Sequence, residues 1–280
     1  MTAVSQTGFA SAADLPEALR GHLGSLLLVM ADNKRLLGMR YSEWILGAPT
    51  LEAGISCSAM AQDEWGHSRI LYAMLKDFGE DPGHLEHERE AEAYCGSELL
   101  DSAAGTWAEL LALNLLLDAA LTVQFEALLS SRFEPLHYKM RKLLEEERFH
   151  AGHGRGWVTR LAETDAGRDA LRSAFAPAWT SCLRWFGRED SEIVGALLEA
   201  GIVDADPNEL RRRWLSAVGP AVADARLGLV EADESGHPRS TRAPDWEDWD
   251  PARRRAATGG PDASTLARVR GDLNRALLLD

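Results

Sequence analysis

Four copies of Glu-x-x-His occur in the chain, and two of them stand where a helix should be apolar. Stepping by four and three residues along 136–161 gives Leu136, Met140, Leu143, Glu147, His150, Gly154, Trp157 and Leu161. The same walk along 53–78 gives Ala53, Cys57, Met60, Glu64, His67, Leu71, Met74 and Phe78. Both are inward seams of a helix bundle, each interrupted by one Glu and one His. Glu and His at i and i+3 share a helix face, and a buried carboxylate needs a compensating partner. Bundles that hold two iron or manganese ions use this arrangement, with one Glu-x-x-His from each of two helices and one Glu from each of the other two.

The same spacing supplies candidates for the two single carboxylates. Glu43 precedes Glu64 by 64 − 43 = 21 residues, and Glu126 precedes Glu147 by 147 − 126 = 21. Ala112, Leu115, Ala119 and Val123 lead along one stripe to Glu126. A more polar stripe, Leu26, Met30, Asn33, Leu36 and Arg40, leads to Glu43. The expected ligand and catalytic set is therefore Glu43, Glu64, His67, Glu126, Glu147 and His150. Four carboxylates and two imidazoles favour iron, with manganese possible, over zinc or copper, and leave positions open for water or oxygen. Asp63 and Glu146 each precede a ligand Glu and are expected to orient a facing His through its second ring nitrogen. The copies Glu134–His137 and Glu234–His237 fail the test, because 21 residues earlier stand Leu113 and Arg213. The competing reading of the two seams is a pair of buried ionic clusters with a purely structural role.

The elements that must position these residues are helical almost throughout. Helices are predicted over about 15–47, 49–78, 102–132 and 135–161, with less regular ones near 168–186, 191–200 and 207–227. The predicted fold is an all-α, ferritin-like four-helix bundle with additional C-terminal helices. A flexible N-terminus (1–14) precedes a helical domain (15–230), and a polar extended tail (231–280) follows, with a terminal helix over 264–279.

Composition narrows the function. The chain has 280 residues, 44 acidic against 30 basic, and a net charge of −14. That balance is unsuited to generic binding of nucleic acid or an anionic membrane. The apolar run from Leu23 to Met30 is far short of the ~20 residues a membrane span needs. Cys57, Cys95 and Cys182 form no CxxC pair, so neither a disulfide framework nor a cysteine zinc site is expected, and a reducing cytoplasm is the natural compartment. No flavin, nicotinamide or iron–sulfur motif is present.

Several segments resemble the phenylacetic acid catabolic proteins, the ferritin-like subunits of the bacterial phenylacetyl-CoA ring epoxidase. Ala31-Asp-Asn-Lys-Arg-Leu-Leu-Gly-Met-Arg-Tyr-Ser-Glu-Trp-Ile-Leu is similar to the first helix of that family. Ala61-Gln-Asp-Glu-Trp-Gly-His-Ser and Leu144-Glu-Glu-Glu-Arg-Phe-His-Ala-Gly-His-Gly are similar to the metal-binding segments of its catalytic subunit. The resemblance covers roughly residues 15–200. It implies a di-iron monooxygenase that inserts oxygen from O2 into the ring of an aromatic acyl-CoA, with electrons from a separate reductase. It also implies related ferritin-like or small accessory subunits as partners, or a homo-oligomer. The family includes a second subunit type of the same fold that has lost ligands and is structural. The first helix is similar to the structural type and the six filled positions to the catalytic type, and on the ligands the chain is expected to be catalytic.

Overall fold

A computed structural model describes residues 8–271. Two long antiparallel helices open the fold, α1 (Glu17–Glu43) and α2 (Leu51–Leu75). Thr50 starts α2 by accepting a hydrogen bond from the Ala53 amide, which serves one of the otherwise unpaired first-turn N–H groups. The hairpin between them is tight, since a Cβ on Gly54 would stand 2.3 Å from the Ile45 carbonyl oxygen. A short helix α3 (Pro82–His87) lies in the connector that follows.

The third long helix is continuous but not uniform. It runs as α4 (Trp107–Ala112), a π-helical turn (Leu113–Asp118) and α5 (Ala119–Glu126). Its length and mean hydropathy of 1.4 would let it cross a membrane, but 83% of that apolar window is buried inside the protein, so the bundle already uses those faces. The fourth, α6 (Pro135–Leu161), begins with proline at its first position, where no N–H is needed. Beyond the bundle lie α7 (Asp165–Trp185), α8 (Glu192–Glu199) and α9 (Pro207–Asp224).

Two apolar clusters flank the middle of the bundle along its axis. On α2, Cys57 and Met60 belong to one, and Leu71 and Tyr72 to the other. The first cluster extends into α7 and α9 through Trp179 and Trp214, whose rings lie 4.6 Å apart. Between the clusters the seams turn polar, where Glu64 and His67 stand on α2 and Glu147 and His150 on α6.

Within the described residues, 8–14 and 231–271 are more structured than their composition suggests. Phe9 bridges Phe133, and its amide donates to the Arg132 carbonyl at 2.7 Å, so residues 8–14 are tied down. The segment read as an extended tail forms two small antiparallel hairpins, β1 (Val230–Ala232) with β2 (Pro238–Ser240) and β3 (Trp249–Asp250) with β4 (Arg255–Ala256). Arginines do the packing that apolar residues would normally do. Arg255 reaches Asp101 at 2.6 Å, and Arg254 is buried over the Trp185 ring with Nη1 on Gln124 Oε1 at 3.0 Å. Helix α10 (Ala263–Arg270) docks on α1, where Arg40 Nη2 donates to Thr265 Oγ1. The remainder of the predicted terminal helix, and residues 1–7, lie outside the described residues.

Candidate metal centre

The two seams converge. Glu64, Asp118, Glu147 and His150 are all buried, and each offers a ligand atom within 4.8 Å of the others. This is a cluster that could hold a metal ion. Asp118 enters from the last position of the π turn, which advances the helix by an extra residue and so changes which side chains face inward from there. Helix α6 approaches that turn closely at Gly154, where a Cβ would meet Asn114 Oδ1 at 2.3 Å.

The histidines are gripped from behind. His67 Nε2 meets Glu146 Oε2 at 2.7 Å and His150 Nε2 meets Asp63 Oδ2 at 3.3 Å, each across the α2–α6 interface. Their Nδ1 atoms are thereby aimed into the centre. His150 Nδ1 lies 2.9 Å from Asp118 Oδ2 and 3.2 Å from Glu64 Oε1. His67 Nδ1 is 3.2 Å from Glu147 Oε1 but out of line for a hydrogen bond, and it has no such partner among the described residues. The same holds for Glu64 Oε2.

Two of the six expected ligands lie elsewhere. Glu43 is the last residue of α1 and pairs with Arg268 at 2.7 Å and Arg40 at 3.4 Å. Glu126 is the last residue of α5 and is exposed, at the edge of a cavity it shares with Asp118. Helix geometry explains both displacements. Glu64 stands 13 residues into α2, roughly 20 Å above the hairpin at 1.5 Å per residue, whereas Glu43 is at the hairpin itself. An equal separation in sequence does not give an equal height when one member sits at the turn.

The inward residue that α1 supplies at this height is Lys34. Its fully buried Nζ donates to Glu147 Oε1 at 2.5 Å, Asp118 Oδ1 at 2.6 Å and Glu64 Oε1 at 3.0 Å. Tyr41 closes the far side, with its hydroxyl donating to Asp118 Oδ2 at 3.0 Å and receiving Asn114 Nδ2 at 2.8 Å. Sequence reasoning missed Lys34 and Asp118. Both carried a signal, because the offsets 64 − 34 = 30 and 147 − 118 = 29 agree to within one residue across the two helix pairs, and Asp118 is the one acid in the run Leu115–Leu121.

The electrostatics follow from this packing. Burial opposes the charge on Lys34, but Asp118, Glu147 and Glu64 outweigh it and hold the ammonium well above its ordinary value. Burial pushes Glu64 up to about 7, aided by the charge of Asp118. Burial also resists ionisation of Asp118, yet Lys34 and His150 keep it well below the usual carboxylate range. His150 overcomes its own burial through Asp118, Asp63 and Glu64 and rises to about 12.

The profile of the phenylacetic acid catabolic protein family matches residues 1–240. The chain belongs to this family. Two different components of the 1,2-phenylacetyl-CoA epoxidase of Escherichia coli (strain K12) are similar to it. It is 28% identical to one over 212 residues, covering 75% of this chain and 84% of that one. It is 27% identical to the other over 214 residues, covering 74% and 69%. The family raises the question of whether a pair of irons fits here. The buried donors suit a cation, but the six expected ligands are not all assembled around them. Glu43 is paired with Arg268, Glu126 is exposed at the cavity edge, and α1 places an ammonium, not a carboxylate, within 3.0 Å of Glu64, Asp118 and Glu147.

Proposed function

We propose that this chain is one bundle component of a multicomponent oxygenase acting on aromatic acyl-CoA thioesters, and that it serves as a structural partner of the di-iron subunit. The observation that carries the reading is the Lys34 ammonium on Glu64, Asp118 and Glu147. A fixed cation balances buried carboxylates that would otherwise demand metal. Similarity to two proteins named as parts of an epoxidase supports membership of such a complex. Oxygen chemistry then belongs to another chain of the complex, fed by a separate reductase. Three free thiols accord with a cytoplasmic location.

The test is reconstitution with a catalytic-type family member, a reductase and an aryl-CoA. Turnover is expected to require this chain and to survive Glu147→Gln. Turnover abolished by that substitution, with folding and assembly intact, would overturn the reading.

One observation favours the second reading, that the chain is itself the di-iron (or di-manganese) oxygenase. A cavity of about 390 Å³ has buried Asp118, Glu147 and His150 at its floor, apolar Leu115 and Val123 in its wall, and exposed Arg148 and Arg155 at its rim. Its volume suits a small acyl group. On that reading Glu64, His67, Glu147 and His150 hold the metals, and the chain turns over substrate without a second bundle protein.

A further inference from the structure

The centre departs from a two-metal bundle site at one position. Such a site takes a Glu-x-x-His pair from each of two helices and a carboxylate from each of the other two. Here α2 gives Glu64 and His67, α6 gives Glu147 and His150, and the π turn gives Asp118. The sixth place, on α1 and at the height of the other five, is Lys34.

We infer that Lys34 is the fixed cation of a latent two-metal site, and that replacing it with a carboxylate opens the site to a pair of divalent ions. The inference rests on the structural-partner reading. Three observations support it. Lys34 Nζ lies 2.5, 2.6 and 3.0 Å from oxygens of Glu147, Asp118 and Glu64, so its removal vacates a point already ringed by donors. Metal–oxygen bonds of roughly 2.0–2.2 Å require only a small closing of that ring. Two donor atoms, Glu64 Oε2 and His67 Nδ1, are buried, face the centre and have no hydrogen-bond partner among the described residues. Both imidazoles are held through Nε2 by Glu146 and Asp63, which presets them for ligation through Nδ1. A glutamate is also shorter than a lysine, so at position 34 it would add a donor and leave room for ions.

The experiment compares full-length wild type with Lys34→Glu. Each is incubated without oxygen with manganous or ferrous ions and desalted, then metal per chain and thermal unfolding are measured. Wild type is expected to hold less than one ion per chain, with an unchanged Tm. Lys34→Glu is expected to hold two, with Tm raised by about 10 °C when metal is present. A folded, metal-free Lys34→Glu beside metal-free wild type overturns the inference and leaves the structural-partner reading standing. Wild type that takes one or more ions overturns both. If Lys34→Glu does not fold with or without metal, the neutral Lys34→Gln decides, since uptake of at least one ion is expected and none would overturn the inference.

Discussion

Asp32 and Lys34 stand two residues apart on α1, point to different faces, and each anchors a buried charge network built by an opposite rule. Asp32 is one anion among several donors. Its Oδ1 accepts from Tyr72 at 2.6 Å and from Arg89, and its Oδ2 accepts from Arg89 Nη1 at 2.9 Å and from the Cys95 amide at 2.7 Å. Every lone-pair direction is used and the charges match one to one. Lys34 lies among three carboxylates and two imidazoles, one of which, His150, is also held protonated, and Glu64 Oε2 and His67 Nδ1 are left over. The first network is a closed strut that ties α1 to the connector after α3. The second has a surplus of acceptors aimed at one point, the geometry of a cation site with an ammonium in it. Burial is the same in both, so the stoichiometry of donors and acceptors separates them.

Breaking the Lys34 network should cost the most. Lys34→Met leaves three buried carboxylates with only His150 to balance them, and a loss of about 3–5 kcal/mol is expected in urea melts. An unchanged midpoint would contradict the assignment. Arg89→Met should cost less, roughly 3 kcal/mol, because Tyr72 and the Cys95 amide still serve Asp32. The pair sharpens the contrast when manganous ion is added. The melt of Lys34→Met should recover in part, whereas that of Arg89→Met should not move, since its network offers no surplus donors. A smaller effect is expected at the periphery. Glu146 is partly exposed, so Glu146→Ala should cost less than about 1 kcal/mol and be visible chiefly as a changed ring orientation of His67 by NMR.

A separate effect is one of pH. His153 is held down at about 4 by its burial and by the charge of His150. Its folded value lies below the unfolded one, so its contribution to stability is complete above about 6.5. That contribution is lost as pH falls towards 4, because the unfolded state takes up the proton first. His153→Phe should flatten the fall in Tm between those limits. An identical acid limb would remove His153 from the account.

The bundle and four of the six positions of its centre were legible because burial leaves a period. Glu64, His67, Glu147 and His150 interrupt apolar seams at fixed spacing, and the structure brings all four together. The α6 boundaries, Pro135–Leu161, follow from a proline start and the same seam. Height along the bundle was not legible from one spacing. Glu43 and Glu126 share an offset of 21 with their partners, yet both end a helix, and the residues at the level of the centre are Lys34 and Asp118. The stripe drawn from Leu115 through Ala119 and Val123 assumed a uniform helix, and the π turn breaks that assumption at Asp118. The polar composition of 231–261 concealed its order for a different reason. Arg254 and Arg255 bury their guanidinium groups against Trp185, Gln124 and Asp101, contacts that no hydropathy pattern records.

The most direct test of Lys34 as the centre's own cation is metal content per chain of the wild-type protein after anaerobic reconstitution with ferrous iron. The expected result is less than one iron per chain with the fold intact. Two irons per chain would contradict it and return the chain to the di-iron oxygenase reading.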